Sequence, residues 1–128
     1  MSRPSTEVID HFDHPRNAGR IPNANAIGRS SLDGRAPYTN VYLLVREGRI
    51  EKAGFETFGC GFSIACCSLL TELATGRTID ECKALAAHEI IRGLGRVPEN
   101  RQFCAELATK ALHDAIGNWH SENGKEDV

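Results

Sequence analysis

Val41, Leu43 and Val45 alternate with Tyr42, Leu44 and Arg46, and this period of two predicts a strand over residues 38–46. Glu47-Gly48 supplies a turn, and residues 49–58 read as a further strand with Ile50, Ala53, Phe55 and Thr57 as its mixed pattern. Residues 27–32 form a weaker strand pattern, followed by the turn signal Asp33-Gly34. Three sequential strands joined by short turns predict an antiparallel meander.

The flanking segments have helical periods. Residues 5–13 carry an apolar edge of Val8, Ile9 and Phe12. Pro15 ends that helix, because a residue before proline is pushed out of the helical region. Residues 14–19 and 22–26 read as loops. After Gly61 the period becomes helical: at about 100° per residue, Cys66, Leu70 and Leu73 fall in line, with Phe62, Leu69 and Ala74 beside them. Ser63, Ser68, Thr71, Glu72 and Thr75 lie opposite, and Gly76 is the stop. Thr78-Ile79-Asp80-Glu81 matches a capping box and opens a helix over residues 79–85. Residues 87–94 form another. A last helix runs from Asn100 or Arg101 to about His120, with Cys104, Leu107, Ala108, Ala111, Leu112, Ala115 and Trp119 as its stripe. Residues 121–128 are polar and expected to fray. Strands and helices are segregated, which gives an α+β class. The expected architecture is an N-terminal helix and a three-stranded antiparallel meander, packed on one side by several C-terminal helices, as one domain over residues 1–128.

Composition removes several function classes. A formal net charge of −2 leaves no basic footprint for nucleic acid, and 6% aromatics leaves no base-stacking platform. The apolar runs are far shorter than a membrane span, and residues 1–11 lack the apolar core of a signal peptide. Five cysteines is an odd count without the spacing of a disulfide framework. Reduced thiols in a cytoplasmic setting are expected.

Three of those cysteines lie in the stretch from Thr57 to Ser68. Cys60 sits between Gly59 and Gly61 at a strand-to-helix junction, where free N–H groups and the helix dipole favour a thiolate. The competing reading is an inert cysteine in a tight turn. Cys104, in the first turn of the last helix, has the same dipole argument and an equal claim to be a core residue. Cys66 lies at the centre of an apolar face and reads as core. Cys67, rotated about 100° from it, is the better candidate to join Cys60. Cys82 reads as structural. His11 and His14 fall in the first helix and its loop, His88, His113 and His120 on helices, the last two on a polar face. No Cys-x-x-Cys pair gives a standard zinc spacing, and no phosphate-cradling loop follows a strand. A Cys/His protease arrangement needs a histidine beside Cys60, which spacing alone does not place.

The segment from Val8 to Gly19 (VIDHFDHPRNAG) resembles the opening of the U-type iron–sulfur cluster assembly scaffolds, the IscU and NifU-like family. The similarity continues through Gly48-Arg49-Ile50-Glu51-Lys52-Ala53 and is strongest in the segment from Phe55 to Ala65 (FETFGCGFSIA). Leu70-Thr71-Glu72-Leu73, Gly76-Arg77-Thr78 and Cys104-Ala105-Glu106-Leu107-Ala108 follow in the family's order, so the resemblance spans nearly the whole chain.

The resemblance implies a nascent cluster held on three cysteines, helped by an aspartate and a histidine. Cys60 matches the second cysteine and Cys104 the third. Tyr38 stands at the first cysteine, Asn40 at the aspartate and Phe103 at the histidine. The loop from Val97 to Arg101 has one proline where the family's chaperone-binding loop has two, which weakens the expectation of a specialised chaperone partner. The leading expectation is a variant scaffold or carrier for iron or a [2Fe–2S] cluster on Cys60 and Cys104. Cys67, Cys66 or Tyr38, or a second subunit in a homodimer, would complete the ligand set. The implied partners are a cysteine desulfurase and recipient apoproteins. One alternative is a cluster-free protein that binds the desulfurase and accepts or regulates sulfur transfer, with Cys104 as acceptor. Another is a zinc protein of the same fold. No acid/base pair suggests an enzyme.

Overall fold

The computed structural model describes residues 4–32 and 34–123, with the backbone alone for residues 35, 36 and 120–123. The three strands, β1 (Ala26–Leu32), β2 (Arg35–Arg46) and β3 (Arg49–Phe58), form one antiparallel sheet in the order β1-β2-β3. Glu47 and Gly48 both have positive φ, 52° and 74°, the primed turn whose twist matches a hairpin. The β1–β2 turn includes Asp33, which lies outside the described residues. β2 begins three residues earlier than its alternation suggested, because Arg35 and Tyr38 pair back onto Leu32 and Ser31.

Register sorts the side chains by face. Ala26, Leu43 and Ala53 align, as do Gly28, Val41 and Phe55, and Ser30, Thr39 and Thr57. This face is covered by helices, and Val41 and Leu43 are fully buried. The opposite face carries Ile27 and Phe58, which are 50% and 62% exposed. The expected α+β arrangement with one-sided helical packing is thus present.

The helices are α1 (Thr6–Asp13), α2 (Gly61–Ala74), α3 (Ile79–Lys83), α4 (Ala87–Gly93) and α5 (Phe103–Asn123), with a 3-10 turn at Glu99–Arg101. α5 lies across β1 and β2, α2 packs on β3 and α5, and α1 packs on α2. Close approach of α5 depends on Gly28: a Cβ there would sit 2.2 Å from the Ala111 carbonyl oxygen and from the Ala115 nitrogen. The small residues Ala111 and Ala115, which meet it there, are fully buried. Truncating a sealed core residue such as Leu70 is expected to cost about 2–5 kcal/mol. The capping box at α3 forms as its sequence indicates, with Thr78 Oγ1 accepting from the Glu81 N–H and Glu81 Oε1 accepting from the Thr78 N–H. α5 continues to Asn123, beyond its expected end near His120, and the remainder of the polar tail, residues 124–128, lies outside the described residues.

Two helices differ from their periodicity. On α2 only part of the expected polar side is solvated: Glu72 and Thr75 are exposed, but Ser63, Ser68 and Thr71 are 3%, 0% and 1% exposed. α2 is enclosed by the sheet and α5 on one side and by α1 and its following loop on the other. Its hydroxyls satisfy that loop. Ser68 Oγ lies 2.8 Å from His11 Nδ1 and accepts from the Arg16 N–H at 2.8 Å. Thr71 Oγ1 donates to the Arg16 carbonyl. On α1, Val8 and His11 turn inward at i and i+3, so Ile9 and Phe12 remain 44% and 48% exposed. No helix among the described residues is long and apolar enough to cross a membrane.

Candidate functional site

β3 ends at Phe58, the chain bends at Gly59, and Cys60 becomes the N-cap of α2 in extended conformation, φ −89° and ψ 179°. A Cβ on Gly59 would meet Ser63 Oγ at 2.6 Å and Pro37 Cβ at 3.3 Å, so a larger residue here would displace the Ser63 hydroxyl from its place at the thiols. Cys104, second in α5, is 2% exposed, whereas Cys60 is half-buried. The two sulfurs lie 3.8 Å apart although 44 residues separate them in sequence.

Ser63 joins them. Its hydroxyl donates to Cys104 Sγ at 3.4 Å and lies 4.0 Å from Cys60 Sγ. Periodicity placed Ser63 on the outer side of α2, and its role was not foreseen. A signal existed: it stands three residues past the N-cap, where a side chain lies back over the capping residue. Burial opposes a charge on Cys60, but the backbone N–H groups of Ser63 and Phe62, with the Cys104 thiol and the Ser63 hydroxyl, outweigh it and hold the Cys60 pKa below that of an ordinary thiol. Burial pushes Cys104 up to about 11, against the Ser63 hydrogen bond and with the neighbouring Cys60 charge adding to it. The pair therefore consists of an outer sulfur disposed to ionise and an inner one disposed to keep its proton.

Two further candidate thiols lie behind the pair, close enough for Cys66 to feel the charge of Cys104 and Cys60 and for Cys67 to feel that of Cys104. Cys66 and Cys67 are fully buried. Burial pushes the Cys66 thiol far up and the Cys67 thiol to about 12. Cys67 Sγ points to Thr39 Oγ1 at 3.9 Å, and Thr39 in turn touches Thr57 at 3.0 Å. Cys82 is fully buried and donates to the Ala74 carbonyl at 3.7 Å. Tyr38 belongs to the sheet face opposite Thr39. Its ring stacks on Phe58, centroids 6.0 Å apart, with the Arg29 guanidinium 4.6 Å from its centroid. Asn40 shares that face. Phe103 is half-buried at the start of α5, beside the site.

His11 bonds to Ser68, and His113 Nε2 lies 3.0 Å from the Leu85 carbonyl oxygen. His14 and His88 are exposed, and the His120 side chain lies outside the described residues. Among the described residues no group of three or more His, Cys, Asp or Glu side chains converges on one point. The described contacts of Cys60 Sγ go to Ser63 and Cys104, with no imidazole for a protease-like pair. Zinc, which takes about four ligands, finds two thiols here.

Two open grooves meet at Cys60. One, of about 270 Å³, is lined by Pro4, Val8, Ile9, Phe12 and Phe62. The other, of about 440 Å³, is lined by Pro37, Phe58, Ser63 and Phe103. Arg101 borders both.

A family model described as the NifU-like N terminal domain matches residues 4–126. An iron–sulfur cluster assembly scaffold protein IscU of Archaeoglobus fulgidus is 37% identical over 123 residues, covering 96% of this chain and 80% of that protein. The Escherichia coli protein of the same name is 36% identical over 122 residues, covering 92% of this chain and 94% of its own length. Among solved structures, a putative iron–sulfur cluster assembly scaffold protein for the SUF system from Fervidobacterium islandicum superposes with a TM-score of 0.73 at 22% identity, over 88% of this chain and 95% of that one. At that identity the last comparison establishes the fold alone.

Proposed function

Because the chain belongs to the NifU-like N-terminal domain family, we propose that it is a scaffold or carrier whose cargo, iron or a [2Fe–2S] cluster, is held on Cys60 and Cys104. The observation that carries this reading is the 3.8 Å between the two sulfurs. Two thiolates bound about 2.3 Å from one tetrahedral metal stand about 3.8 Å apart. The pair already has the spacing of two ligands on one metal.

Two thiolates are half of a cluster's four-cysteine shell. Cys66 and Cys67 are sealed in the core, and the Tyr38 ring is engaged with Phe58 and Arg29. The other two thiolates are therefore assigned to Cys60 and Cys104 of a second copy, with the cargo between the open edges of a homodimer. The chain acts by holding and releasing its cargo rather than by turnover, in the reducing setting of the cytoplasm. A cysteine desulfurase supplies sulfur, and apoproteins receive the product. The single proline, Pro98, in the loop before α5 gives no reason to include the specialised chaperone.

Anaerobic addition of ferrous iron and sulfide to the purified protein tests this. A thiolate-to-iron absorption band that Cys60→Ser abolishes is expected, and a colourless, iron-free product from the unaltered chain contradicts it. A second reading is a cluster-free sulfur acceptor that binds the desulfurase; the sulfur open to the grooves is that of Cys60, which favours Cys60 as its acceptor in place of the expected Cys104.

A further inference from the structure

The Cys60 and Cys104 sulfurs are already in contact, Cys104 is buried and Cys60 borders the grooves. We propose that the metal-free chain uses this pair to cleave a persulfide: Cys60 takes up sulfane sulfur, and Cys104 expels it as sulfide by closing a Cys60–Cys104 disulfide. The inference rests on the two thiols being adjacent, and it stands whether or not the chain carries a cluster.

The order follows from access. Cys60 lies where the two grooves meet, so a small persulfide, or one borne on a flexible segment of another protein, reaches its sulfur. Cys104, 2% exposed, is reached only by its neighbours within the chain. In the first step the Cys60 thiolate attacks the outer sulfur of R–S–SH. The R–S bond to that sulfur breaks, R–S⁻ leaves, and Cys60 carries S–SH. In the second, Cys104 attacks Cys60 Sγ. The bond from Sγ to the outer sulfur breaks, and that sulfur departs as sulfide with the proton that Cys104 gives up. The two cysteine sulfurs are oxidised to a disulfide and the sulfane sulfur is reduced to sulfide, so no outside oxidant is required. A dithiol reductant restores the pair by exchange, itself becoming a disulfide.

The geometry suits the second step. A disulfide needs its sulfurs about 2.0 Å apart, so the pair must close from 3.8 Å. The Cys60 side belongs to the Gly59-Cys60-Gly61 bend, not to the interior of a helix or strand. Ser63 Oγ, within 3.4 Å of one sulfur and 4.0 Å of the other, stands where a hydroxyl can relay the Cys104 proton towards the departing sulfide. Cys66, Cys67 and Cys82 are fully buried, so an incoming persulfide does not reach them, and of the thiols near Cys60 it is Cys104 whose sulfur lies in contact with it. The closed disulfide occupies both thiols that the cargo would use, which makes sulfide release and cargo binding mutually exclusive on one chain.

The test uses the full chain, reduced, stripped of metal by a chelator and freed of small thiols, with one equivalent of glutathione persulfide added anaerobically. Expected are one free sulfide per chain, an intact mass lower by two hydrogens, and a Cys60–Cys104 linked peptide after digestion. Cys104→Ser should stop at the first step, one sulfur heavier at Cys60 and releasing no sulfide. A stable persulfide on the unaltered chain overturns the proposal, as does a disulfide involving Cys66, Cys67, Cys82 or a second chain. Sulfide release undiminished in Cys104→Ser overturns it as well. Peptide mapping of the unaltered chain decides the matter even if the variant folds poorly. Because no iron is present, the result is separate from success or failure of cluster loading.

Discussion

Ser63 donates its hydroxyl to Cys104 Sγ at 3.4 Å while its own N–H, with that of Phe62, faces Cys60 Sγ. One residue thus acts on both thiols from the first turn of α2. Ser63→Ala removes the hydroxyl and keeps the N–H. The Cys60 pKa should move up, so that the alkylation rate at neutral pH falls and its pH midpoint rises, while Cys104 remains the slower thiol. Global stability should change by no more than about 1 kcal/mol, the usual net worth of one hydrogen bond. Rates of iodoacetamide labelling against pH, resolved by peptide, read this directly.

His11 gives a pH dependence of opposite origin. Burial, then the Arg16 guanidinium, holds its imidazole below the ordinary value, against the pull of Glu72 and Asp10. The unfolded chain therefore takes up this proton more readily than the folded one. The stability contributed is complete above the unfolded pKa of about 6.5 and is lost as pH falls from there through the folded value. Urea midpoints should drop between pH 7.5 and 5.5, and His11→Gln should flatten that drop.

Gly28→Ala should destabilise the fold without touching the thiols. The added methyl meets α5 backbone at 2.2 Å on two atoms, which must move as a unit. A loss of about 1–3 kcal/mol or more is expected from overpacking of this kind, seen as a lower denaturation midpoint with unchanged Cys60 labelling in the native state.

Much of the fold was legible because local signals agreed with the packing. The alternation in β2, the Glu47-Gly48 turn and the Thr78/Glu81 box all appear where the residue pattern puts them. The polar side of α2 was only partly legible: Glu72 and Thr75 are solvated as the period suggests, but Ser63, Ser68 and Thr71 are covered, which periodicity along one helix does not encode. The same is true of α1, where His11 replaces Ile9 and Phe12 at the buried surface because Ser68 offers it a partner. At the site, the junction geometry marked Cys60 locally. Its pairing with Cys104 came only through the family's order of motifs, because a contact across 44 residues leaves no periodic trace. Tyr38 is where the pattern was most ambiguous: a phenol can ligate iron, and the residue pattern carried no sign that the ring stacks on Phe58.

That stack yields a further prediction. Tyr38→Phe keeps the ring and loses the phenol, and Cys67→Ser keeps a small buried group beside Thr39. Neither should reduce the iron bound per chain after reconstitution, whereas Cys60→Ser and Cys104→Ser should each abolish it. A phenolate-to-iron band lost in Tyr38→Phe would instead make Tyr38 a ligand.

An anaerobic native mass spectrum of the reconstituted protein tests directly whether two chains share one cluster. Two chains with one [2Fe–2S] cluster are expected, the four thiolates coming from Cys60 and Cys104 of each. A cluster carried by a single chain, or a dimer that retains its cluster after Cys104→Ser, would contradict this arrangement.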